Sequence, residues 1–220
     1  MSLGEQQAAI RRLPGAGPAL AAVEIGKLLA GIADGTVARE LHLDILEAAE
    51  ALEPKPLPIV EALAAYGEKP GGPFAATLHG GDPGRGKAVF ENHVAAQCVR
   101  CHAATPESKV PLAGPNRSGI GKRADRAYLL RALTDPGAEI AEGYQLATLQ
   151  LQNGETVAGM VLEENPDRLL IAQLDGSARA VPKSQVTDRS AQDASAMPPM
   201  SGILTKQEIR DLIAFLAGLE

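Results

Sequence analysis

Ala96-Gln97-Cys98-Val99-Arg100-Cys101-His102 holds both cysteines of the 220-residue chain. Read as C-x-x-C-H, it sets two thiols and an imidazole within five residues. This spacing points most directly to covalent attachment of a c-type haem. At the start of a short helix, two intervening residues place both sulfurs where they reach the two vinyl groups of one haem. The adjacent histidine then offers a ring nitrogen to the iron. Other chemistries compete. A disulfide oxidoreductase sets its cysteine pair in a βαβ unit, whereas the flanks here are helical and rich in Gly and Pro. A zinc site needs a fourth ligand. His93 lies five residues before Cys98, His42 and His79 lie further away, and there is no second C-x-x-C or H-x-x-x-H. Chance occurrence of a short motif is the third rival, so the surroundings decide.

Upstream, Asp82-Pro83-Gly84-Arg85-Gly86-Lys87-Ala88-Val89-Phe90 reads as a helix start. Asp82 can cap and Pro83 suits the first helical position. Gly86 and Phe90, four apart, share a face. Downstream comes Gly114-Pro115, and much later Ser195-Ala196-Met197-Pro198-Pro199. The chain ends in a helix opened by a Thr205-x-x-Glu208 capping box, with Ile209, Leu212, Ile213 and Leu216 at helical spacing.

Helix, C-x-x-C-H, Gly-Pro, Met-Pro, helix: this order resembles a class I cytochrome c. The resemblance implies thioethers from Cys98 and Cys101 and His102 as proximal ligand. It implies that the Pro115 carbonyl accepts from the other ring nitrogen of His102, and that Met197 is the distal ligand. Gly86 and Phe90 would cross Leu212 and Phe215, the glycine allowing close approach. Of the other methionines, Met1 is terminal, Met160 sits in a strand-like run as a packed side chain, and Met200 is the rival to Met197.

Between Gln145 and about Val186 the pattern changes. Thr148–Gln152 alternates, Asn153-Gly154 signals a hairpin, and Thr156–Leu162 reads as a strand. Asn165-Pro166-Asp167 is a turn, Arg168–Leu174 a third strand, Asp175-Gly176 a second hairpin signal, and Ser177–Val181 a fourth strand. The expectation is a small antiparallel meander of about four strands, inserted at about 145–186 before the methionine loop. Gly81-Asp82-x-x-x-Gly86, the Asp135-Pro136 stop, Ile140-Ala141-x-Gly143-Tyr144, Asn153-Gly154 with Gly159, and Ser195-Ala196-Met197-Pro198 narrow the resemblance. Over about 140 residues the chain is similar to the haem-binding domain of the Pirellula/Verrucomicrobium type. That family typically forms the C-terminal module of large exported dehydrogenase-like proteins. One departure is Asn116-Arg117 after Gly114-Pro115, where the family usually has Asp then Leu. Arg117 either snorkels outward or pairs with a haem propionate, and Lys122, Arg123 and Tyr128 are further propionate candidates.

Residues 5–70 read as helical: Pro18–Ala33, Thr36 to about Glu53, and Ile59–Tyr66. His42, beside an apolar face, is expected at the surface or half-buried. Glu68-Lys69-Pro70-Gly71-Gly72-Pro73 is a linker by composition. The expected organisation is a helical N-terminal region over 1–72, which the resemblance implies is the tail of a helical repeat, and a haem domain over 73–220. The expected fold class is mainly α: helices followed by a cytochrome c fold with the small meander inserted.

Composition excludes other classes. Net charge is −6 with no basic run, against nucleic acid as partner. No stretch approaches the roughly 18 apolar residues of a membrane span. The chain has three Phe, three Tyr and no Trp. A haem would supply the missing large apolar body, and without it residues 80–220 are expected to lack a core. Met1-Ser2-Leu3-Gly4-Glu5 carries no export signal, and a native one is expected upstream, since haem attachment happens outside the cytoplasm.

The expected function is electron relay through one covalent haem c with His/Met axial ligands, and not catalysis. The resemblance implies a dehydrogenase domain or redox protein as donor, another cytochrome or an oxidase as acceptor, and a periplasmic or other extracytoplasmic location. The alternatives are a five-coordinate haem enzyme or small-ligand sensor, and a binding module with a structural haem.

Overall fold

The computed structural model describes residues 1–107, 113–173, 177–192 and 194–220. Four helices make the N-terminal part: α1 (Leu3–Arg12), α2 (Pro18–Ala33), α3 (His42–Glu50) and α4 (Leu57–Gly67). Ser2 caps α1 by accepting from Glu5 N, while the Glu5 carboxylate accepts from Ser2 N. Helix α2 opens on Pro18 in the first helical position. The helix expected over Thr36–Glu53 is shorter, because Thr36 N and Val37 N both donate to Gly31 O and so close the end of α2. Only after a 3-10 turn at Arg39–Leu41 does α3 begin. Ile10, Ile25, Leu29, Leu43, Ile45 and Ile59 form a core drawn from all four helices.

His42 is buried, not half-exposed. Its Nδ1 lies 3.2 Å from Tyr66 Oη and its Nε2 3.4 Å from Val37 O. The carbonyl can only accept, so Nε2 carries the hydrogen and Nδ1 accepts from the phenol. Both nitrogens are committed to the fold.

Three helices build the C-terminal part: α5 (Pro83–Asn92), α6 (Arg126–Thr134) and α7 (Lys206–Ala217). Asp82 caps α5 by accepting from Gly84 N and Arg85 N. Asp125 caps α6, which stops at Asp135, held out of helical geometry by Pro136. The Thr205–Glu208 capping box opens α7. Helices α5 and α7 cross at Gly86, where a Cβ would lie 1.9 Å from Asp211 O, so only glycine fits. One turn along, the Phe90 and Phe215 rings meet with centroids 5.7 Å apart. Phe90, Leu129, Leu133, Ile209, Leu212 and Ile213 bury together. Aliphatic side chains from the three helices thus pack around the Phe90–Phe215 crossing as a second apolar cluster.

The two helical layers share a polar seam. Asp44 of α3 and Arg210 of α7 are both fully buried and pair at 2.8 Å, and Arg11 of α1 binds the other Asp44 oxygen. Arg210 Nε and Nη2 have no hydrogen-bond partner among the described residues. Next to it, Asp211 accepts from Arg85 Nε at 2.6 Å and from Asp82 N at 2.8 Å.

Between α6 and α7 lies one antiparallel sheet: β1 (Leu146–Leu151), β2 (Thr156–Glu164), β3 (Arg168–Gln173), β4 (Ala178–Pro182) and β5 (Val186–Gln192), in the order β4-β3-β2-β1-β5. This overturns the expected fold class, a mainly α cytochrome c fold carrying a small meander. The chain combines helical layers with a five-stranded sheet. The fifth strand escaped notice because Val186-Thr187-Asp188-Arg189-Ser190-Ala191-Gln192 has no apolar alternation. It becomes a strand by pairing with the free edge of β1, from Leu146 opposite Gln192 onwards. The hairpin signal at Asp175-Gly176, and Leu174 before it, lie outside the described residues.

The sheet is also strongly curled. Its edge strands β4 and β5 are joined by only Lys183–Gln185. Four chain steps span at most about 14 Å, whereas a flat sheet would separate its two edges by about 19 Å. The connecting turn reaches across the open side: Lys183 N donates to Asp167 O, and Gln152 N donates to Gln185 O. Leu149, Leu151, Val157, Leu169, Ile171 and Val181 fill the interior. Among the described residues no helix is long and apolar enough to cross a membrane.

Candidate functional site

The C-x-x-C-H stretch forms a single helical turn. Cys101 N and His102 N both donate to Cys98 O, the latter at 2.8 Å. Gln97 precedes it in the left-handed region at φ 44°, the only such non-glycine among the described residues. Non-glycine backbone of this kind is held by its surroundings and concentrates at functional sites. Here Gln97 N donates to His93 O, and Ala96 N donates to His93 Nδ1, tying the turn to the end of α5.

His102 Nδ1 lies 2.9 Å from Pro115 O. A carbonyl can only accept, so Nδ1 carries the hydrogen and the lone pair is on Nε2. Burial, with the Arg117 charge second, pushes the His102 pKa down to about 4. The imidazole is therefore neutral at physiological pH. Gly114 lies flat against this ring; a Cβ there would sit 2.3 Å from His102 Cε1. Glycine and proline together thus cradle the imidazole and fix its tautomer.

His102 faces an open cleft with a cavity volume of about 140 Å³, beside a second, inner compartment of about 50 Å³ that shares part of its lining. Both compartments are lined by Cys98, His102, Arg117, Tyr128 and Met197. The inner one is walled by Phe90, Leu129, Leu133, Leu212 and Leu216 from α5, α6 and α7. Cys101 reaches the outer compartment and is otherwise exposed. Met197 N donates to Ser195 Oγ at 3.1 Å, bracing the loop that carries it. Met200 lines only the outer compartment and is buried in the helical core.

The remaining expected residues separate. Arg117 turns into the cleft, where burial lowers its pKa. Arg123 does not line it; its guanidinium donates to Asn116 O and Ser118 O on an exposed loop. Lys122 is also exposed and outside the cleft. Tyr128 lines the cleft and donates to Glu139 at 3.3 Å. Four further wall residues carry no site signal of their own in the sequence: Ile140, Ala141 and Tyr144, which there only mark the resemblance, and Met160, expected as a packed strand residue. The first three lie in an irregular segment, and Met160 comes from β2, so no local periodicity announces them.

This arrangement suits one ligand class better than others. The Cys98 thiol is pushed up by burial, the opposite of the low-pKa thiol that drives disulfide exchange. Among the described residues no group of three or more His, Cys, Asp or Glu side chains gathers to hold a metal ion by itself. One neutral imidazole, one thioether and two thiols around an apolar cleft do fit a haem, whose own ring supplies the remaining four nitrogen ligands. No protein-family model matches the chain, and no curated protein matches it.

Proposed function

We propose that residues 73–220 carry one covalently attached haem c and relay electrons. The observation that carries this is the pinned, neutral His102 facing a cleft shared with Cys98, Cys101 and Met197. When bound, haem supplies a one-electron iron couple. Cys98 and Cys101 would hold it through thioether links to its two vinyl groups. His102 presents Nε2 to the iron, with Pro115 O holding the ring in one orientation. Met197 would offer its thioether sulfur to the iron, a soft donor that favours the reduced metal. The leucines of α6 and α7 exclude water, so the extra charge of the oxidised form is costlier and the potential rises. Donor and acceptor are redox proteins, a dehydrogenase on one side and a cytochrome or oxidase on the other, outside the cytoplasm where haem is attached.

The chain should be produced in a host that attaches haem outside its cytoplasm, then examined by pyridine haemochrome and intact mass. The expected result is a mass increase of one haem and a low-spin ferric spectrum that Met197→Ala turns high-spin. A mass equal to the bare chain sinks the proposal. A high-spin parent that binds carbon monoxide readily would replace the relay by a five-coordinate site.

A further inference from the structure

Arg117 is the only Lys or Arg side chain lining the cleft among the described residues. Its guanidinium has no acceptor among them. The nearby cations are engaged elsewhere: Arg123 with two backbone carbonyls, Arg131 with Glu139 at 2.9 Å, Arg126 with Leu78 O and Gly80 O. Glu139 also lines the cleft, but its carboxylate takes Arg131 and the Tyr128 hydroxyl. A partly desolvated guanidinium without an anion is costly. The planar fork matches a carboxylate in two-point fashion.

We propose that Arg117, flanked by Tyr128 and Tyr144, is a carboxylate receptor inside the cleft that selects a planar ligand bearing an acid side chain. This rests on the haem assignment and deepens it: the acid is a porphyrin propionate, held within the cleft and not left at its solvent edge. Arg117 lines both compartments, as His102 does, so an acid paired with it would lie inside the cleft.

The test uses the full chain made without attachment machinery, titrated with iron protoporphyrin IX and with its dimethyl ester, which keeps ring, iron and vinyls but masks both acids. The parent chain is expected to bind the free acid about tenfold or more tightly than the ester, as for a charge-assisted hydrogen bond. In Arg117→Gln that preference collapses towards one, through loss of acid binding only. Ester solubility cancels, because the comparison is between two proteins. Arg117→Lys, which keeps the charge but not the fork, falls between, and serves where Arg117→Gln does not fold. An unchanged acid-to-ester preference in Arg117→Gln, or equal loss on both ligands, overturns the receptor and leaves haem binding standing. Failure of the parent to bind either porphyrin overturns the haem assignment and the receptor with it.

Discussion

The two helical cores of this chain are built from the same aliphatic alphabet and end differently. In α1–α4 the apolar side chains close on one another, with Ile25 and Ile45 fully buried at the centre. In α5–α7 the core closes on one side only, and on the other Leu129, Leu133, Leu212 and Leu216 become the wall of a cleft. The difference teaches that scarcity of aromatics does not by itself leave a core open. The Cys98–His102 turn and the Met197 loop complete the other walls of that cleft.

The most severe way to break this contrast is to remove the ligand attachments. In Cys98→Ala/Cys101→Ala/His102→Ala, covalent haem is expected to vanish completely. Hydrogen exchange should then speed up in α6 and the Cys98–His102 turn while α1–α4 keep their protection. Equal loosening of both regions would mean that the N-terminal core is not self-sufficient.

A smaller effect tests whether the regions are separable at all. Asp44→Ala leaves Arg210 buried without its partner and should cost about 3–5 kcal/mol in urea unfolding. Adding Arg210→Met should recover most of that loss, because the buried charge goes too. Gly86→Ala acts within the second region alone, driving a methyl into Asp211 O, and is expected to cost about 1–3 kcal/mol or more. Thr205→Ala removes the cap of α7 at about 1 kcal/mol by thermal melting.

The mildest prediction concerns the sheet. The Arg179 guanidinium bonds both oxygens of Glu155 and lowers its pKa from 4.5 to about 2. A carboxylate depressed in the folded state contributes stability above its ordinary pKa and loses it as pH falls through the folded value. The sheet should therefore lose some stability between about pH 4.5 and 2, and Arg179→Ala should flatten that loss in an acid titration followed by circular dichroism.

Elements with a local chemical signal were legible in the sequence. The bounds of α2 follow from Pro18 and Asp34-Gly35, α7 from its capping box, and the turn before β2 from Asn153-Gly154. Even there the geometry differs in detail: Gly154 takes φ 83° and its N–H donates to Leu151 O, while Asn153 keeps a negative φ. The turn is thus a three-residue loop closed by a left-handed glycine, not the two-residue type that the pair suggests. Around the cleft, Cys98, Cys101, His102, Pro115 and Met197 are legible because short motifs carry them. Arg123 was misplaced because charge alone does not say which way a side chain turns. Met160 and Tyr144 were missed because only tertiary packing brings a strand and an irregular segment to the cleft, and β5 because its signal is a partner's free edge.

The pairing of β1 with β5 has a consequence for engineering. Leu146 stands opposite Gln192, so the chain enters and leaves the sheet through neighbouring positions, only about 5 Å apart as in any antiparallel pair. The segment between is joined to the rest of the chain through this one doorway, and among its described residues only Met160 lines the cleft. Excising 146–192 and rejoining the ends with a short Gly/Ser bridge would leave the path from α6 to the Met197 loop intact, whereas a cut at 186 would strand β5 without its neighbour. The same doorway could accept a different small β-domain, making the junction a natural place to graft new binding surfaces beside the cleft.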